Sequence, residues 1–231
     1  PGFAEQRRIT GRVAARRENE MGDVSGCSVS VLWQLADSAF PAGGLNHSQG
    51  LETAMQSGKV SSAGCLRSFA HEVLHSAAGS SLALVTAAHA DPSPENLYTL
   101  DLASESALVG NHIAREASIA QGKGFLAAST GAFPEQAFKS LRAAMSQKEG
   151  FNGHLAPLLG LICARLRVSL LDTRRLFLQL ALRSLVSAAV RLGLCGPFEA
   201  QRVQARVAAD ALEPLAALGP AQEAAGGGEE E

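Results

Sequence analysis

One motif in the sequence could support metal chemistry, the run His71-Glu72-Val73-Leu74-His75. Two histidines four residues apart lie on one face of a helix and can share a Zn²⁺ ion, while the glutamate between them acts as a general base. A third protein ligand is also needed, but Ala78 and Ser81 occupy the positions where a longer form of the motif has Gly and His. Glu95 could serve, although it follows a Pro-Ser-Pro break. We therefore expect surface positions on an amphipathic helix, with zinc-dependent hydrolysis as the alternative.

Other ionisable residues allow two interpretations each. His47 and His154 lie near glycines and could ligate a metal, but a hydrogen-bonded histidine in a tight turn is the more common arrangement. Arg183 and Arg191 lie eight residues apart in a strongly apolar segment, so they share a helix face. Such arginines form either internal ion pairs or a polar partner surface, and the sequence does not favour one over the other.

No other motif indicates catalysis. Gly43-Gly44 and the run 122–124 do not fit a phosphate-binding loop, and no nucleophile elbow of the GxSxG type is present. The four cysteines stand far apart without a CxxC pair, which predicts free thiols and neither a zinc site nor a redox motif. We expect no catalytic residue and no tightly bound cofactor.

A polar, glycine-rich stretch, residues 37–50, separates two apolar helical segments, and we call it the elbow. Residues 32–39 repeat apolar side chains at helical spacing, and Pro41, Gly43 and Gly44 then break the helix. Polar residues follow before the chain becomes helical again. Such an elbow is costly to fold unless it packs tightly or binds a partner.

Composition predicts the fold class. The 231 residues are 46% hydrophobic but only 5% aromatic, and Ala and Leu supply most of the apolar content. Because no segment alternates with period two, we predict an all-α, single-domain bundle of roughly eight to ten helices. We expect a disordered or non-native tail over 1–28, the helical domain over 29–216 and a disordered acidic tail over 217–231. The net charge of −2 gives no general attraction to nucleic acid or anionic membrane.

Local signals place several helix boundaries. A helical run begins near Ser61 and is predicted to break at 79–81, where Gly-Ser-Ser interrupts it. Ser93 is a candidate N-cap with Pro94 at the first helical position, and a long helical segment follows over 95–130.

The C-terminal half is predicted to contain the most buried helix. Asp172 is a candidate cap, and 176–192 is apolar nearly all round, as in a central helix. A last amphipathic helix is predicted over 199–215.

Three blocks together resemble the UreF family of urease accessory proteins. Residues 32–52 are similar to the family pattern LLQLADSxxPxGGFxHSxGLE, although Leu45 and Asn46 depart from it. Residues 115–122 resemble its R-x-A-S-x-x-x-G segment, and 154–196 its His-Ala-Pro opening and Val-Arg-Leu-Gly ending. The resemblance covers about 31–207 and leans towards the eukaryotic branch.

The resemblance implies a scaffold and not an enzyme. UreF-type proteins are all-α and usually dimeric, and they bridge a UreD/UreH-type protein and the UreG GTPase on apo-urease. The cytoplasmic location that we expect follows from the four unpaired cysteines, which predict cytosolic thiols. Nickel insertion is coupled to GTP hydrolysis by UreG, so nickel is handled by the complex. The alternatives are the zinc-dependent hydrolase of the His71 motif and a generic helical interaction module.

The resemblance and the motifs together select partner-binding or structural candidates. These are Asp37, Ser38, Pro41, Gly43, Gly44, His47, Ser48, Gly50, Glu52, Arg115, Glu116, Ser118, His154, Arg183, Arg191 and Gly196. The weak metal candidates are His47, His71, His75 and His154.

Overall fold

The computed structural model describes residues 28–41, 48–133, 138, 141–143, 145 and 148–218, and these residues form helices and connecting turns without a strand. The predicted all-α bundle is confirmed. The two predicted tails lie almost entirely outside the described residues and stay predictions. The helices are α1 Ser28–Ala36, α2 Leu51–Gln56, α3 Ala63–Ala90, α4 Pro94–Leu108, α5 His112–Ala132, α6 Leu155–Arg165, α7 Leu170–Arg191, α8 Pro197–Val207, a π-helix Ala208–Leu212 and α9 Glu213–Ala217.

The core is built around α3, α6 and α7. Helix α6 is buried continuously from Ala156 to Cys163, and it packs between α3 and α5. Gly160 allows the close approach of α6 to α3, because a Cβ there would collide with the carbonyl oxygen of Val85. Helix α7 carries the largest set of buried residues after its first turn and packs on α3, as expected of a central helix.

Short polar side chains begin the main helices. The Ser62 hydroxyl accepts a hydrogen bond from the backbone N–H of the third residue of α3, and Asn111 does the same for α5. Ser93 caps α4 with Pro94 in the first turn, which confirms the prediction for that helix. Because these caps satisfy N–H groups that lack helical partners, they fix where each helix starts.

Three boundary predictions were wrong. Helix α3 runs unbroken through 79–81. The low helix propensity of Gly and Ser costs too little free energy to break a long helix that packs well on both sides of this run. The segment predicted over 95–130 is two helices, since Asn111 starts a new one. The cap of α7 is Ser169, whose hydroxyl accepts from the N–H of Asp172.

The last predicted helix is continuous but irregular, since a π-helical turn separates α8 from α9. Within the described ranges, no helix combines the length and the apolar character that a membrane span requires.

Candidate functional site

A partly buried cluster of polar side chains holds the loop 148–154, which precedes α6, against α4 and α5. We call it the polar clamp, and its members are Asp101, Glu105, Arg115, Ser118 and His154. Asp101 and Glu105 project from one face of α4, and Arg115 and Ser118 from one face of α5, since each pair is three or four residues apart. His154 is the residue that precedes α6.

Asp101 ties the loop to α4. Its side chain is fully buried, and its carboxylate accepts backbone hydrogen bonds from Asn152 (2.7 Å), Gly153 (3.0 Å) and His154 (2.7 Å). Three donors on one carboxylate offset the cost of burying a charge. Asp101 thereby provides the acceptor for three consecutive backbone N–H groups, which lie in a loop and therefore have no acceptor within a helix.

His154 is also fully buried, and both of its ring nitrogens are engaged. Nδ1 lies 3.1 Å from the Ser118 hydroxyl, and Nε2 lies 3.0 Å from Oε2 of Glu105. The Glu105 carboxylate can only accept the hydrogen bond from Nε2, whereas the Ser118 hydroxyl can donate to Nδ1 or accept from it. A metal ion could bind this imidazole only by displacing one of these partners.

Glu105 joins the histidine to an arginine on α5. Nε of Arg115 donates to Oε1 of Glu105 at 2.6 Å, and the second carboxylate oxygen accepts from His154. The hydrogen bond from Arg115 lowers the pKa of Glu105 below its ordinary value, burial opposes this change, and the hydrogen bond with His154 reinforces it. Glu105 therefore stays ionised in the clamp.

Close backbone packing completes the clamp. A Cβ at Gly122 of α5 would collide with the carbonyl oxygen of Gly153 and lie 2.7 Å from the carbonyl carbon of His154. Tyr98 of α4 donates its hydroxyl hydrogen bond to the Glu149 carbonyl at 3.0 Å. The loop is thus fixed along two helices by side-chain bonds and by a contact that requires glycine.

The two described ends of the elbow are held against α7. Nη1 of Arg183 donates to the carbonyl oxygen of Ala36, the last residue of α1, and Nε2 of Gln49 donates to the carbonyl of Ala181 at 2.8 Å. Burial lowers the pKa of Arg183, while the negative charge of Asp37 acts in the opposite direction. Arg183 therefore holds the end of α1 in place by satisfying a helix C-terminal carbonyl.

The described part of the elbow returns to helix through a left-handed turn. Gly50 has φ +82°, a conformation that favours glycine, and it directly precedes α2. The Ser48 carbonyl accepts from the N–H of Leu51 at 3.0 Å, and Glu52 lies exposed in the first turn of α2. Residues 42–47, including the predicted Gly43, Gly44 and His47, lie outside the described residues.

The elbow leaves an exposed surface beside a shallow groove. Asp37, Ser38 and Pro41 are exposed, whereas Phe40 is buried and its ring meets that of Phe125 edge-on at 5.7 Å between centroids. Small residues of α5 form the opposite wall of the groove, which has a volume of about 720 Å³.

Helix α1 adds two exposed apolar side chains that the motif analysis missed. Trp33 is 70% exposed and Val29, one turn earlier on the same face, is 55% exposed. Their exposure is the only property that marks Trp33 and Val29 as candidates. The sequence did not show this exposure, because it follows from how α1 packs on α7. An exposed tryptophan beside polar residues is typical of a protein-binding surface.

The remaining predicted residues lie apart from the clamp and the elbow. Arg191 is exposed and donates to the Ser187 hydroxyl at 2.9 Å within α7, so the ion-pair interpretation finds no support for it among the described contacts. Gly196 precedes the first turn of α8, and Glu116 is exposed on α5. In the zinc motif, Glu72 and His75 are exposed on α3 and His71 is half-buried.

No zinc site is assembled among the residues the structure describes. These residues contain no group of three or more His, Cys, Asp or Glu side chains placed to hold a metal ion. His71 and His75 lie near the start of α3, whereas Glu95 lies in the first turn of the next helix, beyond the far end of α3. The motif is therefore a surface feature of α3, with its neighbours Ala70 and Leu74 in the core.

The described residues form an all-helical protein. The polar clamp makes its hydrogen bonds inside this protein, whereas the exposed side chains of α1 and the described elbow residues Asp37, Ser38 and Pro41 form an open surface. The UreF family model matches residues 60–208, which is more than half of the chain. Urease accessory protein F of Oryza sativa subsp. indica is 38% identical over 180 residues, covering 78% of this chain and 69% of the relative. The Arabidopsis thaliana protein of the same name is 34% identical over 194 residues, covering 84% and 80%.

A bacterial relative, urease accessory protein UreF of Bradyrhizobium diazoefficiens, is 27% identical over 206 residues and covers 85% of this chain and 84% of its own length. The chain belongs to the UreF family. The higher identity to the plant proteins supports the eukaryotic-like branch towards which the sequence resemblance leans.

Proposed function

We propose that this chain is a co-chaperone of urease maturation that bridges a UreD/UreH-type protein and a UreG-type GTPase on apo-urease. In this role it carries out no hydrolysis itself, and GTP hydrolysis by the UreG-type partner drives nickel insertion. Nickel is cargo of the assembly and no cofactor is bound tightly. We further propose that the chain acts in the cytoplasm and as a homodimer within the complex.

The exposed face of α1 and the elbow carries this proposal. Trp33 and Val29 form an apolar pair, and Asp37, Ser38 and Pro41 supply a polar rim. A central aromatic anchor surrounded by polar groups is the composition of many protein-binding sites. Arg183 and Gln49 hold this face against α7, so binding a partner would require little ordering of the backbone.

The relatives support the urease context. The proteins of Oryza sativa and Arabidopsis thaliana are named urease accessory protein F, and their alignments cover 78% and 84% of this chain. The UreF family membership and the lack of an assembled metal-ligand group among the described residues favour a scaffold over the zinc hydrolase. The generic helical module is disfavoured by the same family membership.

The decisive experiment is reconstitution. The purified chain is mixed with UreD/UreH-type and UreG-type proteins of a urease system and analysed by size-exclusion chromatography with light scattering. We expect a ternary complex in the wild type and loss of one partner in Trp33→Asp. Phe198→Asp is the matched control, because Phe198 is 83% exposed but lies on α8.

Two results would reject the proposal. If neither partner elutes with the wild-type chain under conditions that assemble a related complex, the bridging role is wrong. If Trp33→Asp and Phe198→Asp both assemble like the wild type, the complex forms through another surface and the assignment of the α1 face fails.

A further inference from the structure

A basic groove lies between the first turns of α3 and helix α8, on a surface that the proposed function does not use. Its volume is about 720 Å³. The ionisable lining residues are Arg67, His71, Glu199, Arg202 and Arg206. His71, the first residue of the unassembled zinc motif, thus faces a groove rich in arginine.

Two of these arginines are unpaired within the part of the chain that the structure describes. Arg202 and Arg206 are exposed and one helical turn apart on α8, and neither makes an ion pair or hydrogen bond with another residue of the described ranges. Like charges at this spacing repel each other. A ligand that carries negative charge would remove this repulsion, whereas a neutral or basic ligand would not.

One arginine of the groove already pairs with a carboxylate beside the groove. Nη2 of Arg67 lies 2.5 Å from Oδ2 of Asp210, which belongs to the π-helical turn after α8. This pair shows that a carboxylate fits against the α3 wall. Guanidinium groups bind carboxylates through parallel hydrogen bonds, so Arg202 and Arg206 offer the same chemistry beside it without a partner.

The rest of the lining favours a polypeptide over a dense polyanion. Val203 lies at the base of the groove between the two arginines in sequence, and it is mostly buried. The aliphatic parts of arginine side chains can pack on a peptide backbone. A polypeptide with spaced carboxylates can place its charges on Arg202 and Arg206 and an uncharged residue at Glu199, whereas a nucleic acid or polyphosphate would also bring a negative charge to Glu199.

We propose that this basic groove binds an acidic polypeptide segment of a partner protein, with its carboxylates on Arg202 and Arg206. The interaction is electrostatic and therefore weakens as ionic strength rises. Its place between α3 and α8 separates it from the α1 face and from the polar clamp. It consequently does not depend on the urease partners proposed above.

The test is binding of the full chain to a fluorescein-labelled peptide of alternating Glu and Gly, measured by fluorescence anisotropy at low ionic strength. The uncharged probe is the matching peptide of Gln and Gly. We expect the wild type to bind the Glu peptide more tightly than the Gln peptide by about tenfold, the effect of two exposed ion pairs. The double variant Arg202→Glu with Arg206→Glu should lose this preference.

A matched control distinguishes an effect of the groove arginines from an effect of the total charge of the protein. The double variant Lys59→Glu with Arg142→Glu changes the total charge equally, and both residues are exposed outside the groove lining. We expect it to keep the preference for the Glu peptide. Thermal unfolding of each variant checks that the helices remain folded.

Three results would overturn the proposal. The wild type could bind both peptides equally, or the control could lose as much affinity as the groove variant, which would mean that net charge alone governs binding. A gain of about tenfold on changing Glu229, Glu230 and Glu231 to Gln would identify the chain's own acidic segment as the occupant. The test contains no urease protein, so its failure and the failure of the bridging role are independent.

Discussion

The polar clamp and the elbow are two places where polar residues interrupt an apolar helical bundle, and they use those residues in opposite ways. In the clamp, the side chains of Asp101 and His154 are fully buried and make their hydrogen bonds inside the protein. In the elbow, Asp37 and Ser38 are exposed, and the anchoring is done by Arg183 from α7. Because Asp101 and His154 are buried, the clamp contributes mainly to stability. Because Asp37 and Ser38 are exposed, the elbow surface is available to a partner.

Because of this difference, we expect substitutions in the two regions to affect different measured properties. A change in the clamp should appear mainly in the free energy of unfolding, because a buried polar group that loses its partner is costly. A change on the exposed side of the elbow should appear mainly in complex assembly and hardly in stability. The following predictions are ordered by the expected loss of stability.

Asp101→Ala should have the largest effect. It leaves three backbone N–H groups of the loop without their acceptor, and two of these residues are buried. We expect the free energy of unfolding, measured by urea denaturation, to fall by about 3 kcal/mol or more. Asp37→Ala removes the acceptor of two exposed hydrogen bonds, from the N–H of Ala39 and from the Ser38 hydroxyl, and should cost about 1 kcal/mol or less. Equal losses would mean that the two regions do not differ in the way proposed.

Gly122→Ala should be the next most damaging change. The added methyl group would collide with the carbonyl oxygen of Gly153, and a backbone atom cannot move aside as a flexible side chain can. We expect a loss of about 2–3 kcal/mol in the same measurement. Gly131→Ala on the same helix meets open space and should gain up to about 1 kcal/mol from helix propensity. A neutral Gly122→Ala would contradict the close contact between α5 and the loop.

Arg183→Ala should have an intermediate effect. It removes the donor to the Ala36 carbonyl and loosens the end of α1, for which we expect a loss of about 1–2 kcal/mol. Arg191→Ala, on the exposed part of the same helix, should change stability by no more than about 0.5 kcal/mol. If the Arg191 variant were the less stable of the two, our account of how α7 supports the elbow would be wrong.

The smallest predicted effect concerns acid stability. The folded-state pKa of Glu105 is lowered from its ordinary value of 4.5, so the folded protein holds this proton less tightly than the unfolded chain. The contribution to stability is therefore present above pH 4.5 and is lost as the pH falls through the lower folded-state pKa. Glu105→Gln should reduce this pH dependence in urea denaturation series. Glu116→Gln, at an exposed position of α5, is the control and should leave the pH profile unchanged.

Residue patterns predicted part of the clamp and none of its acidic members. Arg115, Ser118 and His154 were selected through two separate blocks of the family resemblance, and the structure brings them together. Asp101 and Glu105 were missed, since they bond to residues 53 and 49 positions away in the chain. A polar residue in a helix carries no local sign that it will be buried against a distant loop.

At the zinc motif the structure agrees with the expected surface positions and does not support the zinc alternative. Its spacing places His71 and His75 on one helix as predicted, but among the described residues no third ligand is brought near them. Spacing within one helix is local, whereas a metal site needs ligands from more than one element. The same limit applies to Arg191, whose shared face with Arg183 did not imply shared burial.

The sequence by itself determined the all-helical class, the cap of α4 by Ser93 and the family to which the chain belongs. These properties depend on apolar periodicity, on side chains that bond their own backbone and on recurring motifs, all of which are local. Only the tertiary structure decided that Asp101 and His154 are enclosed, that Trp33 is exposed and that His71 faces an arginine-rich groove. These outcomes depend on which helices pack together, and that packing is determined by contacts between residues far apart in the chain.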